Sequence, residues 1–155
     1  MFQIISEEGA TTLEENVSSL NEKYTGLSNT QKIREIIAEN NLDIMEWHFP
    51  KAISGLIVHD ENSVVIGLNA NHSRYEQLYT LAHELGHFFL GHGDRFCTSG
   101  EEAKSVEVDA NAFARKLLMP DEEVRQLLKE KGQCSVVSNY YYLSYEVVEE
   151  RIKEI

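Results

Sequence analysis

The stretch TLAHELGHFFLGHGD, from Thr80 to Asp94, sets two histidines four residues apart with an acid directly after the first: His83, Glu84 and His87. On a helix, positions four apart are rotated by about 40° and separated by about 6 Å along the axis, so the two imidazoles stand side by side and can grip one metal ion. Neutral imidazole is a common zinc ligand, and a catalytic zinc ordinarily takes three protein ligands and keeps one place for water. Glu84 sits about 100° around from His83, beside such an ion and not on it, where a general base for water belongs. The spacing therefore points to metal-assisted hydrolysis, with His83 and His87 as ligands and Glu84 as base.

A third ligand is needed, and the segment EEAKSVEVDANAFARKLLMP offers Glu107 and Asp109. Two residues apart on a helix means about 200° of rotation, so the two acids face opposite ways. The apolar stripe of this segment is Val106, Ala110, Phe113, Ala114 and Leu117. Glu107 lies on its flank in line with Ala114 and Leu118, whereas Asp109 shares a face with Ser105, Ala112 and Lys116. Glu107 is the inward carboxylate by this reading, and a metal would relieve the cost of burying it. Asn111, one turn further on, faces the same region and is placed to hydrogen-bond a ligand histidine from behind.

These residues need rigid elements to hold them. The helical pattern runs from about Ser73 to Leu90, with Leu78, Leu81, Ala82, Leu85, Phe88 and Phe89 on the pole opposite the histidines, and Gly86 leaves room for another element to approach. A second helix is expected from about Glu101 to Met119, stopped by Pro120, with Asp121 capping a short helix through Lys131. Upstream, Leu13, Val17, Leu20 and Tyr24, then Ile33, Ile36 and Ile37, recur at helical spacing. Between them and the motif lie three β-leaning stretches, LDIMEWHF, AISGLIVHD and SVVIGLN, with a hairpin corner at Asp60, Glu61 and Asn62. The tail SYEVVEERIKEI reads as a last amphipathic helix carrying Val147, Val148, Arg151 and Ile155. The expected fold class is α+β: mainly helical, with a small antiparallel or mixed sheet beside the motif helix.

The 155 residues fit one domain, without repeats, linkers or low-complexity tracts. Fourteen basic against 26 acidic side chains give a formal net charge of −12, which argues against broad binding of nucleic-acid phosphates. No apolar run approaches the roughly 20 residues that span a bilayer. The acidic start and only two cysteines, Cys97 and Cys134, point to the cytoplasm.

Together, TLAHELGHFFLGH and EVDANAFARKLLMP resemble the ImmA/IrrE family of HExxH metallopeptidases, bacterial and phage proteins encoded with helix-turn-helix repressors. The likeness is strongest over residues 64–120, with a helical segment following over 121–155, and the expectation is a stand-alone peptidase domain without the N-terminal helix-turn-helix that some relatives carry. The resemblance implies one zincin-like metallopeptidase domain over 1–155, one Zn2+ held by His83, His87 and Glu107, and Glu84 as catalytic base. It also implies a protein substrate, a partner helix-turn-helix repressor that is cleaved site-specifically so that repression is relieved. The alternative is an interaction module that keeps the metal site and inactivates its partner by binding. The strand over Val64 to Leu68, just before the motif helix, is a candidate edge for an extended substrate. His72, Tyr75, Tyr79, His92 and Tyr140 to Tyr142 are candidate donors to a developing oxyanion; His92 and Cys97, in a glycine-rich loop, are set aside as metal ligands.

Overall fold

The computed structural model describes residues 12–93 and 101–155. Two helices open it, α1 (Leu13–Lys23) and α2 (Asn29–Glu39), followed by strands β1 (Leu42–Trp47), β2 (Gly55–His59) and β3 (Val64–Asn69). Five helices complete it: α3 (Arg74–Phe89), α4 (Glu101–Leu118), α5 (Asp121–Lys131), α6 (Cys134–Tyr141) and α7 (Tyr145–Lys153). The α+β expectation holds. No helix among the described residues is long and apolar enough to cross a membrane.

Local chemistry sets most of the helix starts. Thr12 with Glu15, Ser28 with Gln31 and Ser73 with Glu76 each form a capping box, in which the hydroxyl accepts from one orphan backbone N–H and the longer side chain returns to the cap. The start of α5 departs from expectation. Pro120 occupies the cap position without a side-chain bond, and Asp121 is the first helical residue, its carboxylate drawn to Arg151 of α7. Helix α6 was not foreseen; only eight residues long, it is closed by Tyr142 in the left-handed conformation (φ 58°).

The sheet has the order β1-β3-β2, with β2 antiparallel and β1 parallel to β3. The hairpin between β2 and β3 turns at Asp60, whose N–H donates to Ser63 O at 2.8 Å. This topology corrects one expectation: β3, over Val64 to Leu68, is the central strand, its two edges already paired. The free edges among the described residues belong to β1 and β2. Buried Asn69 locks the end of β3, donating to the carbonyls of Phe49 (3.2 Å), Pro50 (3.1 Å) and Ile53 (2.8 Å). Its own carbonyl accepts from Gln77 Nε2 at 3.0 Å, which fixes the start of α3 on the sheet.

Helices α3 and α4 meet through fully buried Ala82, Leu85, Ala110, Phe113, Ala114 and Leu117. They approach closely at Gly86, where an added Cβ would stand 3.1 Å from both Cα and O of Ala110. The C-terminal end of α4 is held from four directions. Pro120 ends the helix and leaves its last carbonyls without intrahelical donors. Side chains supply them: Asn21 Nδ2 to Lys116 O (3.1 Å), Lys32 Nζ to Leu117 O, Asn29 Nδ2 to Leu118 O (2.9 Å) and Arg151 Nε to Met119 O (3.0 Å). Lys32 and Arg151 are both buried for this purpose.

Two outcomes follow. Valine at Gly86 meets backbone that has no free rotamer to give, so Gly86→Val should lower the unfolding free energy by roughly 1–3 kcal/mol in urea titration. Burial lowers the Lys32 ammonium from 10.5 to about 8. Between those values the unfolded chain holds the extra proton, so stability rises with pH; below about 8 both states are protonated and the full burial cost applies. The stability difference between wild type and Lys32→Met should therefore shift toward wild type by up to about 3 kcal/mol from pH 7 to 10.5, read by urea unfolding across that range.

Candidate metal centre

Helix α3 crosses the core with Leu78, Ala82 and Leu85 buried on one side. The opposite side carries His83 and His87, whose Nε2 atoms converge to 3.1 Å. Glu107 of α4 completes the group: Oε2 lies 3.0 Å from His83 Nε2 and Oε1 lies 3.1 Å from His87 Nε2. One donor atom from each residue falls within 4.8 Å of the others, the arrangement that could hold a metal ion.

The donor set fits such an ion. Donors about 2.0–2.1 Å from a tetrahedral zinc stand roughly 3.3 Å apart, close to the spacings found. Two neutral imidazole lone pairs facing each other at 3.1 Å repel unless a cation or a proton lies between them. Burial, partly offset by Glu107 and Asn111, lowers the His83 pKa, which favours the neutral imidazole that metals bind. Its Nδ1 lies 2.8 Å from Asn111 Oδ1, so donation from Nδ1 leaves the Nε2 lone pair facing the centre. Tyr79 donates to the same Asn111 oxygen at 3.0 Å. Asn111 thus takes the place that its helix position suggested.

Glu107 reaches the histidines from the rim and not from inside the core: its side chain is 48% exposed. The expected cost of burying this acid does not arise. Glu84 is a buried carboxylate, 4% exposed, and its Oε2 has no hydrogen-bond partner among the described residues. Burial first, and repulsion from Glu107 second, push its carboxyl up to about 8. A cation nearby would favour the charged form and reverse that tendency. Asp109 is exposed.

Two neighbours take places that the sequence did not assign: strand β2 was not read as part of the site, and His92 was read only as an oxyanion candidate. Strand β2 runs against the motif helix: a Cβ added at Gly55 would lie 2.6 Å from Thr80 Cγ2 and 3.6 Å from Glu84 Oε1. His92, set aside in the loop reading, stands with Nδ1 2.9 Å from His87 Nδ1. A histidine between two glycines, returning just after the helix, was the available signal for it. Of the remaining oxyanion candidates, His72 bonds the carbonyl of Lys51 (3.1 Å) and Tyr75 stacks on Tyr142 (ring centroids 3.7 Å). Tyr140 and Tyr141 pack against each other, with centroids 4.9 Å apart. Cys97 lies outside the described residues.

Comparison with known proteins fits this geometry. Residues 39–153 match the model of the family Peptidase_M78, the IrrE N-terminal-like domain. The chain is 30% identical over 122 residues to "Uncharacterized immunity region protein 2" of Bacillus phage phi105, covering 75% of this chain and 73% of that protein. A solved structure, a Mycobacterium tuberculosis transcriptional regulator, matches with a TM-score of 0.64 over 88% of this chain at 13% identity, a likeness of fold alone. The chain spans 45% of that regulator's length.

The geometry ranks three substitutions by their effect on zinc affinity, measured by competition with a chelator. Asp109→Ala should leave it unchanged. Asn111→Ala should weaken it roughly 10–100-fold, the usual loss of an outer hydrogen bond to a ligand histidine. Glu107→Ala, which removes a donor, should weaken it further still.

Proposed function

Since the chain belongs to the ImmA/IrrE family, with the IrrE N-terminal-like domain of Peptidase_M78 matched over most of its length, we propose that it is a zinc-dependent endopeptidase acting on a partner helix-turn-helix repressor. Residues 1–155 form its metallopeptidase domain in this reading. The observation that carries it is Glu84, an acid buried without a hydrogen-bond partner for Oε2 among the described residues, one residue from a metal-ligand candidate. A purely structural ion has no need of such a group.

His83, His87 and Glu107 would hold the ion, which would supply the Lewis acidity to acidify water and polarise a carbonyl oxygen. Glu84 takes the proton of the attacking water and holds it at its buried carboxyl, then gives it to the leaving amine. Burial makes this carboxylate a stronger base than an exposed one, and a bound cation would draw it toward the ionised form that can take a proton. Asn111 keeps His83 oriented while Tyr79 steadies Asn111. An extended substrate pairs with the free edge of β2, because that strand lies against Glu84 at Gly55. The acidic balance of the chain, −12 formal charge, favours a basic partner as substrate.

The test mixes the repressor encoded beside this gene with zinc-loaded wild type and with Glu84→Gln, and reads the products by intact mass. Wild type should cut at one site. Glu84→Gln should still hold one zinc and cut roughly 10²–10⁴-fold more slowly, the usual contribution of a general base. Relief of repression by both proteins without any cleavage would replace this reading with inactivation by binding.

A further inference from the structure

His92 follows the end of α3 at Leu90 and lies between Gly91 and Gly93, both at positive φ (70° and 73°). This turn folds the chain back on the helix: the His92 N–H donates to His87 O at 3.0 Å. The two rings meet edge to face, with centroids 5.1 Å apart at 65°, and Nδ1 faces Nδ1 at 2.9 Å.

Two ring nitrogens at that distance share one proton: one donates and the other accepts. Which one donates is decided at the far side of His87. Its Nε2 stands in the cluster with His83 Nε2 and Glu107 Oε1, and a metal ligand must present a lone pair there. The His87 proton then sits on Nδ1 and points at His92, and His92 carries its own proton on Nε2. His87 is 1% exposed, so this ring has no freedom to find a water instead.

We propose that His92 is a positioning residue that accepts from His87 Nδ1–H and so fixes the tautomer and ring orientation with which His87 meets the metal. It does for His87 what Asn111 does for His83. Both acceptors are uncharged, whereas carboxylates often fill this role. The negative charge at the centre then comes from Glu107 and Glu84 alone among the described side chains placed around it, and less of the ion's positive charge is offset. This inference rests on the metal-binding half of the proposed function and is independent of the substrate.

The experiment measures zinc stoichiometry and affinity by chelator competition for wild type, His92→Leu and His92→Asn, with the melting temperature of each metal-free protein as folding control. The Asn side chain places an acceptor oxygen about where the imidazole Nδ1 stands; Leu fills the space without one. His92→Leu should lose roughly 10–100-fold in zinc affinity at an unchanged metal-free melting temperature, and His92→Asn should recover most of it. Nitrogen-15 spectra of the zinc-bound protein should show His87 protonated at Nδ1 in wild type. Equal affinity of His92→Leu and wild type would overturn the proposal, and so would an equal loss in both variants, which would assign the effect to ring packing. Wild type that binds no zinc at all would instead overturn the metal reading beneath it.

Discussion

Everything at the centre depends on how closely two helices approach. Gly86 lies in the second turn of the motif, between Glu84 and His87, and its lack of a side chain lets the α4 backbone come within van der Waals contact at Ala110. That contact sets the offset between the helices. Glu107 then reaches both His83 and His87, and Asn111, one turn further along α4, meets His83. A bulkier residue at position 86 would push α4 outward and take both groups with it. The remote end of α4 is fixed as firmly, because Asn21, Lys32, Asn29 and Arg151 take up its last carbonyls. The helix is thereby set in both translation and tilt, which is what a third ligand on a separate element requires.

The electrostatics follow from the same packing. Placing His83 and Glu84 on a buried helix removes water from both, and each responds in the direction that disfavours its charge: the imidazole pKa falls and the carboxyl rises to about 8. Glu107, half-exposed at the rim, meets less of that penalty and can bring a negative charge to the centre. A divalent ion reconciles the three: it needs neutral imidazoles, welcomes the Glu107 carboxylate and draws Glu84 toward its ionised form. The site is thus poorly satisfied as a set of side chains alone, as the orphaned Glu84 oxygen shows.

How far the sequence revealed this varies with the range of the interaction. Helices with local signals were readable: apolar periodicity marked the motif helix from about Ser73, and the apolar pole of α3 marks its buried side. The small residue at Gly86 and the flank position of Glu107 were readable too, since both follow from helical rotation. Where the partner lies far along the chain, the pattern was silent. That β1 pairs parallel to β3, leaving β3 central, depends on a crossover rather than on any strand's own residues. Lys32 and Arg151 look like solvated charges until the end of α4, 85 and 32 residues away, is placed against them. Asp121 resembled a cap because its competitor, Arg151, is equally distant. His92 was set aside as a ligand because a glycine-flanked histidine reads as loop, whereas the two glycines are what turn it back on His87.

The central claim is that two imidazoles and one carboxylate from two helices share a single ion. X-ray absorption at the zinc edge of the metal-loaded protein tests it most directly. The account predicts one zinc with two imidazoles and carboxylate or water oxygen, all at about 2.0–2.2 Å, and no sulfur. Three imidazoles, which would bring His92 into the coordination shell, or a sulfur at about 2.3 Å, which would bring in a cysteine, would contradict it.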